Sequence, residues 1–265
     1  IPTISCKVVL DDGNYGVAMV PSGASTGSKE ALELRDGTKK YHGKGVQNAV
    51  QNINDILGPL IIGKDANNQE EIDEILISSD GTSDKSRYGA NAILAISLAV
   101  SHSASVGNKI SLHDHFSNLY ENIVGEKHDQ SIPMPMLNIL NGGEHANNNI
   151  DIQEFMIIPS EAKSFRQAMQ WSTEIYANLK NIIEKSGLST SVGDEGGFAP
   201  DLKNNEEAIK IIIDAIIESG LEPGKDVNIA LDCAASEFFD GSSYVLKGEN
   251  KKLSSSELVD YLDDL

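Results

Sequence analysis

Residues 190–200 read Thr-Ser-Val-Gly-Asp-Glu-Gly-Gly-Phe-Ala-Pro, and the rest of the chain can be interpreted outward from this stretch. An apolar approach leads into two adjacent carboxyl groups, Asp194 and Glu195, which lie between glycines. Glycine permits backbone angles and close approaches that a Cβ atom blocks, so the stretch predicts carboxyl groups fixed by a tight loop. Taken alone, Asp-Glu-Gly-Gly is more typical of a solvated acidic loop. Two other stretches, 141–154 and 230–239, favour a functional site.

Composition limits the classes of protein to which the chain can belong. It has 265 residues, of which 40 are acidic and 21 are basic, and a formal net charge of −19. Such a chain repels nucleic-acid phosphates, so nucleic acid is not expected as a partner. Only Cys6 and Cys233 are present, which implies no disulfide framework and fits a reducing cytoplasm. The longest apolar runs fall far short of the ~20 residues needed to cross a bilayer, so no membrane insertion is expected.

Both ends of the chain predict that it is part of a longer protein. It begins Ile1-Pro2, without an initiator Met or a charged and then apolar leader. It ends at residues 261–265 inside an amphipathic pattern that has no stop signal. We therefore expect a fragment.

The first half predicts a strand hairpin followed by helices, which is an α+β pattern. The loop at 21–27 lacks the Gly-Lys-Ser/Thr ending of a phosphate-binding loop. Alternation and helical spacing predict strands at 3–10, 15–20 and 30–35, and helices at 44–57 (ended by Gly58-Pro59), 68–77 and 91–106.

Beyond a polar boundary at 121–130, strands alternate with helices, which predicts a parallel α/β sheet or barrel. The predicted strands are 136–140, 152–158, a short one ending at Val192, 227–232 and 244–246, and the predicted helices are 165–183, 206–219 and a capped helix from Ser254 onward.

Besides Asp194 and Glu195, two residues in this half are candidates for chemistry, because active sites of parallel barrels gather at the carboxyl ends of the strands. Asp232 follows an apolar run, and a buried carboxylate is costly without a positive partner. Lys and Arg are sparse nearby, so Mg²⁺ or Ca²⁺ is a natural partner, although Asp232 could instead cap a turn. His145 lies in a glycine-rich loop and is either simply exposed or a phosphate-facing, proton-handling group on a moving lid.

Taken together, these stretches resemble the enolases, the phosphopyruvate hydratases of glycolysis, in their bacterial style. The matching runs are residues 20–27, 31–36, 141–145, 153–156, 193–197 and 231–238, in order and in spacing along nearly the whole chain. The resemblance implies an α/β protein with an N-terminal α+β domain at 1–122, lacking its first strand, followed by the first part of a TIM-like α/β barrel at 131–265.

The resemblance also implies a lyase that reversibly dehydrates 2-phosphoglycerate to phosphoenolpyruvate with Mg²⁺ as cofactor. It assigns Glu195 as the general acid, Glu154 as its catalytic partner and a substrate-binding residue, and Gln153 as a substrate contact. It makes His145 a catalytic and substrate-binding residue near the phosphate. It makes Asp232 and Ser25 metal ligands, one for each of two Mg²⁺ ions. Two carboxyl groups near one leaving group would raise the pKa of one of them.

Further expectations follow from the same resemblance: a homodimer or higher homo-oligomer, and a cytoplasmic location with a secondary cell-surface or secreted pool. Asn147 stands where many bacterial relatives have Asp. The chain contains no match to the other two carboxylate ligands of the first Mg²⁺, the base lysine, a second lysine or a substrate-phosphate arginine, so we expect it to be inactive alone. The alternatives are a non-catalytic enolase-like binding or surface-interaction protein and, less favoured, another enolase-superfamily enzyme.

Overall fold

The computed structural model describes residues 1–23 and 27–265. The described chain divides into two compact units, Ile1–Gln130 and Ser131–Leu265. Helices and strands are mixed in both, as expected of an α/β protein.

The first unit is an antiparallel hairpin packed against helices. Strand β1 (Ile4–Val9) pairs with β2 (Tyr15–Val20), which confirms the predicted hairpin. Alternate strand residues face inward and are buried, namely Ile4, Cys6, Ala18 and Val20. The helices are α1 (Gln47–Asn52), α2 (Gly58–Ile61), α3 (Gln69–Asp80), α4 (Ala90–Gly107) and α5 (Leu112–Val124).

Helix α4 is the central helix of this unit and packs against both strands. By length and composition alone this helix could cross a membrane. Within the unit 61% of it is buried. Its apolar character is therefore explained by packing in a protein core.

Two predictions for the first unit are wrong. Residues 30–35 form no strand, because their backbone bonds to a loop and to the start of α4: Leu32 N–H donates to Asp84 and Ala90 N–H donates to Leu32. Gly58-Pro59 does not end a helix, since a π-helical turn at Ile53–Leu57 leads directly into α2. Proline is tolerated in a first helical turn, where its missing N–H has no intrahelical acceptor.

Helix α5 was missed, and it runs into the stretch interpreted as a polar boundary. Its sequence signals were present: the Ser111 side chain accepts a hydrogen bond from Asp114 N–H at the start, and Gly125 takes the left-handed conformation at the end.

The second unit builds a sheet in the order β3-β4-β5 from β3 (Leu137–Asn141), β4 (Glu154–Ile158) and β5 (Asn228–Asp232). Helices α6 (Phe165–Lys185) and α7 (Asn205–Glu218) pack on each other, and their apolar faces share one core with the sheet. A hairpin of β6 (Tyr244–Leu246) and β7 (Lys251–Leu253) and the capped helix α8 (Ser255–Asp264) follow, and of these elements only β7 was not predicted.

The expected parallel sheet is wrong for these three strands, because β4 runs antiparallel to both neighbours. Val192 likewise forms only an isolated bridge to Phe198, not a strand. The reversal of β4 has a consequence for function. The first residue of β4 lies at the end of the sheet where β3 and β5 terminate, and this end is called the sheet edge below.

Candidate active site

Three polar residues form a row at that sheet edge. Glu154 opens β4 and pairs across the strands with Asn141, the last residue of β3, and with Asp232, the last residue of β5. Cross-strand partners have Cβ atoms ~4.5–5.5 Å apart, so the row brings two carboxyl groups and one amide together.

Asp232 is at the predicted strand end, but the expectation that it is buried is wrong. β5 is an edge strand whose residues are half-buried, and Asp232 itself is exposed. One of its carboxylate oxygens accepts a hydrogen bond from Ala234 N–H at 2.9 Å, as in the turn-cap alternative.

The loop at 190–197 brings Glu195 to the same edge. Asp194 N–H donates to the carbonyl oxygen of His145 at 2.9 Å, which joins this loop to the one that carries His145. A Cβ atom on Gly193 would lie 2.5 Å from that carbonyl oxygen and 2.8 Å from Asn141 Cβ. Gly193 is therefore required for the close approach that puts Glu195 opposite Glu154.

His145, Glu154 and Glu195 form one cluster. Nδ1 of His145 lies 3.4 Å from Glu154 Oε1 and 3.9 Å from Glu195 Oε2. The side chains are 2%, 14% and 43% exposed respectively, so solvent reaches the cluster from the Glu195 side. One ligand atom from each residue lies within 4.8 Å of the other two, a spacing that could hold a cation.

The electrostatics of the cluster act mainly on Glu154. Burial, followed by the hydrogen bond and charge of Glu195 and then the charge of Asp232, raises the pKa of Glu154 from 4.5 to about 7. A side-chain hydrogen bond with Gln153 opposes this shift. One of two neighbouring carboxyl groups thus has a raised pKa, as expected of such a pair.

His145 belongs to a short 3₁₀ turn, Gly143–His145, and is buried. The interpretation as a simply exposed loop histidine is therefore wrong. Gln153 is buried immediately before β4, where its carbonyl oxygen accepts from Gly142 N–H at 3.0 Å. Ser25, the other predicted metal ligand, lies outside the described residues.

Sequence reasoning missed three residues that shape the site. Asn138 Nδ2 donates to Glu195 Oε2 at 3.3 Å. The fully buried amide of Asn141 has no hydrogen-bond partner among the described residues. Tyr176 donates to the carbonyl oxygen of Gly196 at 2.7 Å, which supports the Glu195 loop from α6. Asparagine inside an otherwise apolar strand was the available signal for the first two.

The donors present are compatible with a divalent cation. Asp232 offers an exposed carboxylate of the hard-oxygen type that Mg²⁺ prefers, and it stands beside Glu154 without a Lys or Arg partner among the described ion pairs. It is the one predicted Mg²⁺ ligand that the described residues contain.

Two sequence families match the chain. "Enolase, N-terminal domain" matches residues 1–116, and "Enolase, C-terminal TIM barrel domain" matches residues 129–265. The matches follow one another along the chain in the same order as the two compact units.

Proposed function

The chain belongs to the enolase family, and on that premise we propose that its parent protein is a phosphopyruvate hydratase. Family membership supports a lyase of the enolase superfamily. The finer proposal is the reversible, Mg²⁺-dependent loss of water from 2-phosphoglycerate to give phosphoenolpyruvate.

The observation that carries this proposal is that the carboxyl groups of Glu154 and Glu195 lie close together at the sheet edge. Loss of a β-hydroxyl needs an acid to protonate the leaving oxygen, and a carboxyl group whose pKa is near neutrality can do so. The pKa of Glu154 is raised to about 7, so at that pH about half of the molecules keep its proton. Two isolated carboxylates would both be ionised at that pH.

Exposure and contacts support the roles that the family resemblance implies. Glu195 is the more exposed carboxyl group, so it is the one that meets the hydroxyl and gives it a proton. Glu154, behind it, shares that proton and returns it between turnovers. His145 is within reach of both carboxylates and is assigned to substrate and proton handling. Gln153, hydrogen-bonded to Glu154, holds that side chain and contacts substrate.

Asp232 would hold Mg²⁺, and Ser25 would join a second ion. When bound, the cations supply positive charge that stabilises the enediolate formed when the α-proton leaves. Charge stabilisation of this kind is often the largest catalytic contribution. A homodimeric or higher assembly and a cytoplasmic location stay predictions.

The test is Glu195→Gln in the full-length protein. Glutamine keeps the shape and removes the titrating proton, so turnover should fall by roughly 10²–10⁴-fold, the usual contribution of general acid–base catalysis. Binding of 2-phosphoglycerate should survive. The matched control is Asp194→Asn, the adjacent exposed carboxylate, which should leave turnover near normal. Near-normal turnover of Glu195→Gln would refute the assignment.

A further inference from the structure

The donor atoms of the cluster described above are one imidazole nitrogen and two carboxylate oxygens, a mixed set that differs from an all-oxygen site. We propose that His145, Glu154 and Glu195 bind a first-row transition-metal dication, best Zn²⁺, at a site distinct from the one at Asp232. This goes beyond the proposed function, because such binding requires neither substrate nor turnover.

The spacing fits Zn²⁺ coordination. Zn–N and Zn–O bonds of ~2.0–2.2 Å at tetrahedral angles put neighbouring ligand atoms about 3.3–3.6 Å apart. The Nδ1–Oε1 separation between His145 and Glu154 is 3.4 Å, already within that range. The 3.9 Å separation between His145 and Glu195 needs a shift of a few tenths of an ångström, which the half-exposed Glu195 side chain can make.

The three proposed ligand residues also make hydrogen bonds to residues outside the cluster. Such outer hydrogen bonds orient the ligands in known protein metal sites. Asn138 Nδ2 donates to Glu195 Oε2 at 3.3 Å, and Gln153 is hydrogen-bonded to Glu154. The carbonyl oxygen of His145 accepts from Asp194 N–H at 2.9 Å. Each ligand therefore has a second contact, so ordering the site on metal binding costs little entropy.

Charge and chemistry together select the kind of ion. Two carboxylates that repel each other gain from a dication between them, and the open Glu195 side leaves room for a water molecule as fourth ligand. Imidazole suits Zn²⁺ and its neighbours in the first row, whereas Mg²⁺ takes oxygen ligands in octahedral geometry. The site should therefore keep Zn²⁺ in the presence of excess Mg²⁺.

The experiment titrates the metal-free 265-residue chain with Zn²⁺ in millimolar Mg²⁺, by competition with a chromophoric chelator. We expect one Zn²⁺ per chain at the cluster. Glu195→Gln and His145→Gln should each weaken Zn²⁺ binding by at least the roughly 10–100-fold that loss of an outer-shell partner costs. Co²⁺ added instead of Zn²⁺ should give an intense visible spectrum of low coordination number that His145→Gln abolishes.

Asp194→Asn is the matched control, since it removes a neighbouring exposed carboxylate that is not in the cluster and should leave Zn²⁺ affinity unchanged. His113→Gln removes the exposed His113–Asp114 pair as an adventitious site. If circular dichroism shows that His145→Gln disturbs the fold, the Zn²⁺ affinity of Glu195→Gln decides whether the proposal holds. Equal Zn²⁺ affinity of the original chain and Glu195→Gln, or displacement of Zn²⁺ by Mg²⁺, would overturn the proposal. Neither result depends on the lyase activity.

Discussion

The pKa of Glu154 is raised by its burial and by two neighbouring carboxyl groups. Glu154 opens a strand whose neighbours end in Asn141 and Asp232, and Glu195 faces it from a separate loop. Burial disfavours its charged form, and both neighbouring carboxyl groups act in the same direction. A carboxyl group that keeps its proton near pH 7 therefore also makes stability depend on pH.

The sign of that dependence follows from proton binding. The pKa of Glu154 rises from 4.5 to about 7 on folding, so between these values the folded state binds more protons than the unfolded state. The stability contributed by this proton is fully present below pH 4.5 and is lost as the pH rises through about 7. In metal-free protein, the contribution of Glu154 to the free energy of unfolding should thus fall over this interval.

Urea unfolding of the original chain and of Glu154→Gln at about pH 5 and pH 8 measures this contribution. Glutamine cannot titrate, so the variant should lose less stability between the two pH values than the original chain. Glu144→Gln makes the same change in net charge at an exposed neighbouring position and should keep the original pH dependence. Equal pH dependence in Glu154→Gln and the original chain would contradict the raised pKa.

At the residue scale, the sequence could indicate which side chains matter but not how buried they are. Adjacent glycines and carboxylates predicted that Glu195 is fixed by backbone, and Gly193 does make that close approach. Asp232 was expected to be buried and is exposed, while His145 lies in a loop and is buried. Burial depends on what the rest of the chain packs over a residue, and apolar patterning in the residue's own segment does not determine that.

At the element scale, the helices and hairpins could be predicted because their signals are local. Helical spacing located α6 and α7, and the Ser254 cap that begins α8 is present as a capping box. Strand direction could not be predicted in the same way. The reversal of β4 is set by pairing with β3 and with β5, which starts about 70 residues later in the sequence, and alternation within a strand is the same in either direction.

A buried polar network joins the last elements to the segment before β4. Glu249 accepts hydrogen bonds from Asn205, at the start of α7, and from the hydroxyl of Tyr261 on α8 at 2.7 Å. Asn205 Oδ1 in turn accepts from Ile152 N–H at 3.2 Å, two residues before Glu154. The network therefore helps to hold the start of β4, where the site lies.

Tyr261→Phe should destabilise the second unit by about 1.5–3 kcal/mol, because it removes a hydrogen bond to a charged group that is buried. Urea unfolding gives the free energy, and Tyr244→Phe is the matched control. The Tyr244 ring packs against the rings of Phe238 and Phe239, contacts that phenylalanine keeps, so this change should cost less than about 0.5 kcal/mol. Equal losses in the two variants would show that Glu249 does not depend on Tyr261.

At the scale of the whole molecule, the proposed chemistry needs more groups than the described site contains. In the proposed reaction, the second unit would supply Glu154 and Glu195 for the leaving hydroxyl and Asp232 for a cation. No residue of this chain is matched to the lysine that the family resemblance assigns to removal of the α-proton, or to the companion carboxylates of Asp232. The proposed site thus has groups for departure of the hydroxyl but none matched to removal of the α-proton.

The 265-residue chain alone should therefore not convert 2-phosphoglycerate. Without a base the α-proton stays in place. With Asp232 as the single carboxylate ligand of the three that the resemblance implies, the cation that stabilises the enediolate is weakly held. The measurement follows phosphoenolpyruvate absorbance after Mg²⁺ and 2-phosphoglycerate are added, with the full-length protein as reference and with material free of host enolase. The loss of both contributions should lower turnover by far more than about 10²-fold, the low end for a single acid–base group. Turnover within about tenfold of the reference would mean that this chain contains its own base, and a scan of its lysines to Ala would then identify it.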